Sequence, residues 1–341
     1  MKSLAIIGAG YLQRPVVERA KEMGLRTICF AWAEGAVCRE ICDVFYPLSI
    51  TEKEEILRLC REEKIDGICT IASDVAAPTV AYVAEQMGLP GNSYDAAIRA
   101  HDKHLMRDAL VAAGVDCPRS GIDCPLPVIV KPTDRSGSLG VQKVERQEDL
   151  EPAIDKARKL SLAGEVLVEE YIEGREISVE TISQNGVHYA LQITDKTTTG
   201  APHFVELAHH QPSSLPAETQ DRIFAITRRA LDALRLTNGA AHSEYRITPE
   251  GRIVVMEIGG RMGGDFIGSD LVQLSTGYDF LQGVIEVALG KPIHPDPKPI
   301  GRSSVVFTAP ENVSCSAERT GYIIYKNDEI YKQSIGGRTD I

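Results

Sequence analysis

Several things are missing from this 341-residue chain, and each absence closes a door. Basic residues are in the minority: 37 Lys and Arg stand against 48 Asp and Glu, a net charge of -11, which argues against a nucleic-acid backbone or an anionic membrane as main partner. No apolar run approaches the roughly 18 residues of a membrane span, and no charged-then-apolar leader opens the chain, so a cytoplasmic location is expected. None of the eight cysteines forms a C-x-x-C, and the bland reading of their scatter is reduced, buried thiols. No Walker G-x-x-x-x-G-K-[ST] occurs. There is no internal repeat and no low-complexity tract.

The opening stretch LAIIGAGYLQRP lacks something more specific. A dinucleotide turn wants a third glycine, and position 13 is Gln13. The next strand, RTICF, ends without the acidic ribose partner. Gly8 and Gly10 therefore suit a tight turn lining a cleft rather than an NAD site, although an NAD-dependent oxidoreductase stays open on those two glycines.

What is present is an alternation. Apolar runs at 4–7, 26–30, 44–46 and 67–71 predict strands, and helices fit 14–23, 52–64 and 75–87, which gives βαβ units and a parallel sheet. Thr51 with Glu54 reads as a capping box. Asp102 is placed to cap a helix ending near Gly114. Strands follow at 127–132, 166–172 and 176–183, with a helix at 148–160 and a hairpin turn at 184–186. Helix 217–234 precedes two strands, 239–247 and 252–258. Helix 277–289 closes the ordered part, residues 291–301 read as a proline-rich connector, and a short polar tail is expected after Gly321.

Three stretches carry chemistry. HSEYRITPEGRIVVMEIGGR predicts a hairpin around Thr248-Pro249-Glu250-Gly251, with Glu244 opposite Glu257 on one face. Two facing carboxylates repel unless a cation lies between them, and hard oxygens at this spacing suit Mg²⁺. Lys131 ends an apolar strand and precedes the small-residue loop TDRSGSLG, a combination able to meet phosphates. VLVEEYIEGREISVE ends one strand, turns at Gly174 and starts another, a natural hinge for adenine and ribose.

In this order and spacing the three stretches resemble the ATP-grasp superfamily, over about residues 1–310. The resemblance implies an α/β (α+β) fold: a Rossmann-like pre-ATP-grasp domain (1–100), a small lid subdomain with linker helix (101–183), and a large C-terminal antiparallel-sheet subdomain (184–341). It implies that Lys103 and Lys131 contact ATP phosphates under a loop of Ser136, Gly137 and Ser138. Glu169 would take the adenine amino group, Glu170 and Ile172 would offer backbone contacts, and Glu176 would hold the ribose. Glu244 and Glu257 would bind Mg²⁺ (or Mn²⁺), and Arg261 with Lys131 would be catalytic. The usual Glu-x-Asn-x-Arg pattern has Gly259 in place of its metal-binding asparagine. Members that join amino acids carry a similar Glu-Ile-Gly-Gly/Ala-Arg-x-Gly-Gly, and with them ITDKTTTGAPHFVELAHHQPSSLP resembles an acceptor-side loop. Glu206, His209, His210, Gly263 and Gly264 are then candidate substrate contacts.

The implied activity is an ATP-dependent carboxylate–amine ligase, of the L-amino acid ligase or carbamoyl phosphate synthetase-like kind, acting through an acyl phosphate on small carboxylate and amine substrates. A homodimer is compatible with it. A phosphoribosylglycinamide-type ligase and a non-catalytic nucleotide-binding protein are the alternatives.

Overall fold

A computed structural model describes residues 1–135, 137, 139–201, 204–308 and 321–335. The N-terminal region is a four-stranded parallel sheet with order β3-β2-β1-β4, built from β1 (Ser3–Ile7), β2 (Arg26–Ala31), β3 (Val44–Pro47) and β4 (Gly67–Cys69). The intervening helices are α1 (Arg14–Glu22), α2 (Lys53–Glu63) and α3 (Ala77–Met87). β1 is buried on both faces, as its unbroken apolar run demands. The capping box does not form: Thr51 is hydrogen-bonded to the Ser49 hydroxyl, and Glu54 instead accepts from Tyr82.

In the glycine turn after β1, Gln13 stands where a dinucleotide fingerprint has its third glycine. Gly8 sits at φ +104°, and the Gln13 side chain folds across the turn, accepting from the Gly10 N–H (3.1 Å) and donating to Ile71 O (2.8 Å). An N–H that a pyrophosphate would use is thereby taken.

α4 (Tyr94–His101) and α5 (Lys103–Ala112) lead out of this sheet, and Asp102 caps α5 through the His104 and Leu105 N–H groups. A three-stranded antiparallel sheet follows, β6-β5-β7, made of β5 (Val128–Pro132), β6 (Gln142–Val144) and β7 (Val166–Glu170), backed by α6 (Leu150–Leu160).

The rest forms one eight-stranded antiparallel sheet, β12-β11-β8-β9-β10-β13-β14-β15. Its strands are β8 (Arg175–Gln184), β9 (Val187–Thr198), β10 (Glu206–Gln211), β11 (Gly239–Ile247), β12 (Ile253–Gly259), β13 (Ser303–Thr308), β14 (Gly321–Lys326) and β15 (Glu329–Ile335). α7 (Ala217–Leu234) packs on it through Ile223, Leu231 and Leu234. α8 (Val272–Thr276) and α9 (Phe280–Ala288) lie between β12 and β13 in the chain, with α9 wedged between this sheet and the N-terminal one.

Three expectations need correction. β8, assigned by sequence to the lid segment, is hydrogen-bonded between β11 and β9, so the small sheet ends at Glu170. The stretch expected to be an acceptor-side loop contains the end of β9 and all of β10. The expected tail after Gly321 is a hairpin that extends the large sheet. Among the described residues no helix is long and apolar enough to cross a membrane. The seven described cysteines are free, and five of them are buried.

Candidate active site

A cleft runs between the small sheet and the large one, with the N-terminal domain closing one end. Its large-sheet wall begins at the β11–β12 hairpin. The register pairs Glu244 with Glu257, His242 with Gly259, and Tyr245 with Val255. Met256 is therefore an extra residue, a β-bulge. Without it Glu244 would face Met256; the bulge is what sets the two carboxylates opposite each other. The Thr248–Gly251 turn closes with Gly251 N–H donating to Thr248 O (2.9 Å), as the Pro-x-Gly pattern predicts.

Both carboxylates already face cations. Lys196 Nζ lies 2.7 Å from Glu244 Oε1, and His242 Nε2 lies 3.2 Å from the same oxygen. Lys103 Nζ lies 3.1 Å from Glu257 Oε1 and donates to Arg135 O (2.8 Å). Burial would push the Glu244 carboxyl up, but Lys196 and His242 hold it well below the usual carboxylate range. Burial likewise disfavours a charged His242, yet its contact with the Glu180 carboxylate raises it to about 9. The pair, two hard oxygen donors in a cleft rich in cations, fits a divalent ion bound together with a polyanion.

Lys131 comes from the small sheet, pointing from β5 at Glu169 on β7. Glu169 is 0 % exposed and is also gripped by Arg107, Nη2 to Oε2 at 2.8 Å. Burial pushes the Lys131 ammonium down and Glu169 opposes that. With both its oxygens facing cations, Glu169 is the counter-ion of Lys131, and that contact competes with the adenine role the resemblance implied. Glu170 points to the opposite face, toward Arg119 (3.3 Å) and Arg252 (3.2 Å), and its side chain lies outside the cleft. Ile172 lines the cleft, and its carbonyl accepts from Arg246 (3.1 Å). Glu176 also lines it, held by Arg246 (2.9 Å) and within 3.5 Å of Lys196.

Gly137 lines the cleft; Ser136 and Ser138 lie outside the described residues. Glu206 faces the cleft and meets Lys196 at 2.5 Å and His209 at 2.8 Å. His209 is fully buried behind Glu206, whereas the neighbouring His210 is exposed and does not line the cleft. Gly263 and Gly264 stand back from it: the Gly263 N–H donates to Glu180 Oε2 (2.9 Å), and Gly264 abuts Ala72. Arg261 lines the cleft in a two-bond fork with Asp74.

Residue-by-residue reading of the sequence missed Asp74, Arg107, Lys196, His242 and Arg246. Two of these carried a signal. His242, Glu244 and Arg246 occupy alternate positions of β11, so period two places all three on one face. Lys196 sits in a strand whose inward side chains are polar, and Arg107 and Asp74 meet partners 62 and 187 positions away.

Residues 124–270 match the family model described as an ATP-grasp domain. That segment is an ATP-grasp domain. An L-amino acid ligase from Bacillus licheniformis superposes with a TM-score of 0.79 at 26% identity, covering 92% of this chain and 81% of that one. Alanine–anticapsin ligase of Bacillus subtilis (strain 168) is 27% identical over 245 residues, 62% of this chain and 51% of that protein. Human carnosine synthase 1 is 25% identical over 332 residues, 85% of this chain and 40% of that protein. The chain thus spans about half the length of the ligase from strain 168, and less of the human enzyme. The matched segment contains the small sheet, the β11–β12 hairpin and Arg261.

Proposed function

We propose that the chain is an ATP-dependent carboxylate–amine ligase that releases ADP and phosphate. The observation that carries the reading is the convergence of Lys103, Lys131, Arg261 and the facing pair Glu244/Glu257 on one cleft, with Glu176 further along it. This arrangement would set one acid, Glu176, at the ribose and paired charges around the phosphate chain of ATP. The relatives named above are called ligases and a synthase, two of them for amino acids, which supports small amino-acid-like substrates.

Lys103 and Lys131 would give up Glu257 and Glu169 for phosphate oxygens, exchanging one charge-assisted contact for another. Glu244 and Glu257 would hold Mg²⁺, which supplies charge neutralisation at the phosphates. A substrate carboxylate oxygen attacks the γ-phosphorus and the bond to ADP breaks. An amine nitrogen then attacks the acyl carbon, phosphate leaves, and the amine proton is lost. Arg261 would neutralise charge on the transferring phosphoryl group. The small sheet, which carries Lys131 and Gly137, is the part able to close and keep water from the acyl phosphate.

An ADP-release screen over pairs of amino acids and amines, with MgATP, tests the reading. ADP formation that requires both a carboxylate and an amine supports it. Tight MgATP binding with no turnover across the screen would make the chain a non-catalytic nucleotide binder.

A further inference from the structure

Where the usual Glu-x-Asn-x-Arg pattern has an asparagine, this chain has Gly259, and the space beside it is already taken. A Cβ at position 259 would lie 2.3 Å from Oδ1 of Asp74. Gly259 is not at positive φ, so its backbone would accept a side chain; what excludes one is this carboxylate. Asp74 belongs to the N-terminal domain, in the loop between β4 and α3 at the carboxyl end of a parallel strand. That is where open α/β sheets present groups to ligands.

The carboxylate forms a fork with Arg261, Nε to Oδ1 at 2.8 Å and Nη2 to Oδ2 at 2.6 Å. Both side chains are largely buried, at 14% and 13% exposure. The loop is stitched to the same segment by its backbone: Ala72 N–H donates to Met262 O (3.0 Å), and Ile71 bridges Met262. Two other carboxylates, Glu180 and Glu244, also attract Arg261. A long guanidinium side chain without its fork would be free to turn toward them, and Glu244 is one of the pair proposed to hold the metal. A planar two-bond fork fixes both the place and the plane of the guanidinium.

We propose that Asp74 is a positioning residue for Arg261, and that position 259 is glycine so that this carboxylate can enter: the phosphate end of the cleft is completed by the N-terminal domain instead of by a side chain at 259. The proposal rests on the ligase reading above for the role of Arg261, but its steric half does not.

The test is therefore double. In a thermal double-mutant cycle, Gly259→Ala should lower the melting midpoint by several degrees in the wild-type chain, and by less than about a quarter of that shift once Asp74→Ala has removed the carboxylate. Equal shifts in both backgrounds overturn the pairing of Gly259 with Asp74. With a carboxylate–amine pair found by the ADP-release screen, Asp74→Asn should lower kcat by about 10-fold or more, with KM for ATP changed by less than about 3-fold. In an Arg261→Lys background, which has no fork to lose, Asp74→Asn should cost less than about 2-fold further. An unchanged kcat, or an equal loss in both backgrounds, overturns the positioning role. A wild-type chain that turns over no pair overturns the ligase reading and with it the positioning role, while the thermal cycle still decides whether Asp74 displaces a side chain at 259.

Discussion

Replacing Glu169 by Gln should destabilise the nucleotide-free protein, and the size of the loss follows from its surroundings. Glu169 is 0 % exposed and lies between Lys131 and Arg107, whose side chains are 10% and 3% exposed. Gln keeps the shape and removes the charge, leaving two buried cations without their shared counter-ion. Removing one partner of a buried ion pair costs about 3–5 kcal/mol, because the remaining charge stays desolvated. A dielectric near 20 gives the same scale, about 4 kcal/mol for unit charges 4 Å apart. The loss should be centred on the small sheet, since Glu169 and Lys131 join β7 to β5. Urea unfolding without nucleotide measures the total, and hydrogen exchange over 128–132 and 166–170 locates it. MgATP should restore part of the stability, because phosphates supply the missing negative charge. A loss under about 1 kcal/mol in the nucleotide-free protein, together with a large loss of ATP affinity, would refute the counter-ion argument and return Glu169 to the adenine.

Three further outcomes are expected. Glu257→Gln should lower turnover by at least about 100-fold with the far-UV circular dichroism unchanged, since it removes half of the facing carboxylate pair; activity in Mg²⁺ close to wild type would contradict the metal assignment. MgATP should slow tryptic cleavage after Arg135, whose carbonyl holds Lys103 and whose guanidinium donates to Leu160 O (2.6 Å); equal cleavage with and without nucleotide would count against a closing lid. Burial pushes the Glu206 carboxyl up, but Lys196 and His209 hold it well below its ordinary value. Its contribution to stability is then complete above the unfolded carboxylate range, near pH 4–5, and is lost as pH falls below it. Urea midpoints of the wild type should fall progressively as pH is lowered from about 5 to about 3, and those of Glu206→Gln less so; parallel curves would refute the assignment.

The parallel sheet was legible because β1 and β2 are apolar runs separated by amphipathic helices. The facing acids were legible because a Pro-x-Gly turn and period two almost place them, although the Met256 bulge that completes the register has no local signature. The start of β9 follows from the hairpin turn expected at 184–186, but its distal part and β10 were illegible for a physical reason. Side chains there include Thr194, Lys196, His209 and Gln211, all buried and polar, so no apolar alternation marks that stretch. Gln211 donates to Thr194, Lys196 meets Glu206 and Glu244, and His209 meets Glu206, contacts that only the folded sheet brings together. The fork between Asp74 and Arg261 joins two domains and has no short-range pattern. The final hairpin was hidden because β15, at the sheet edge, is largely exposed and polar.

The central claim is that this cleft directs charge neutralisation to the terminal phosphate of ATP. The direct measurement is chromatography of the nucleotide products beside a hydroxamate assay, with enzyme, MgATP, the correct carboxylate and hydroxylamine in place of the amine. ADP with phosphate, together with a hydroxamate, is the result the account predicts. AMP with pyrophosphate as the main products would contradict it, even if an amide were made.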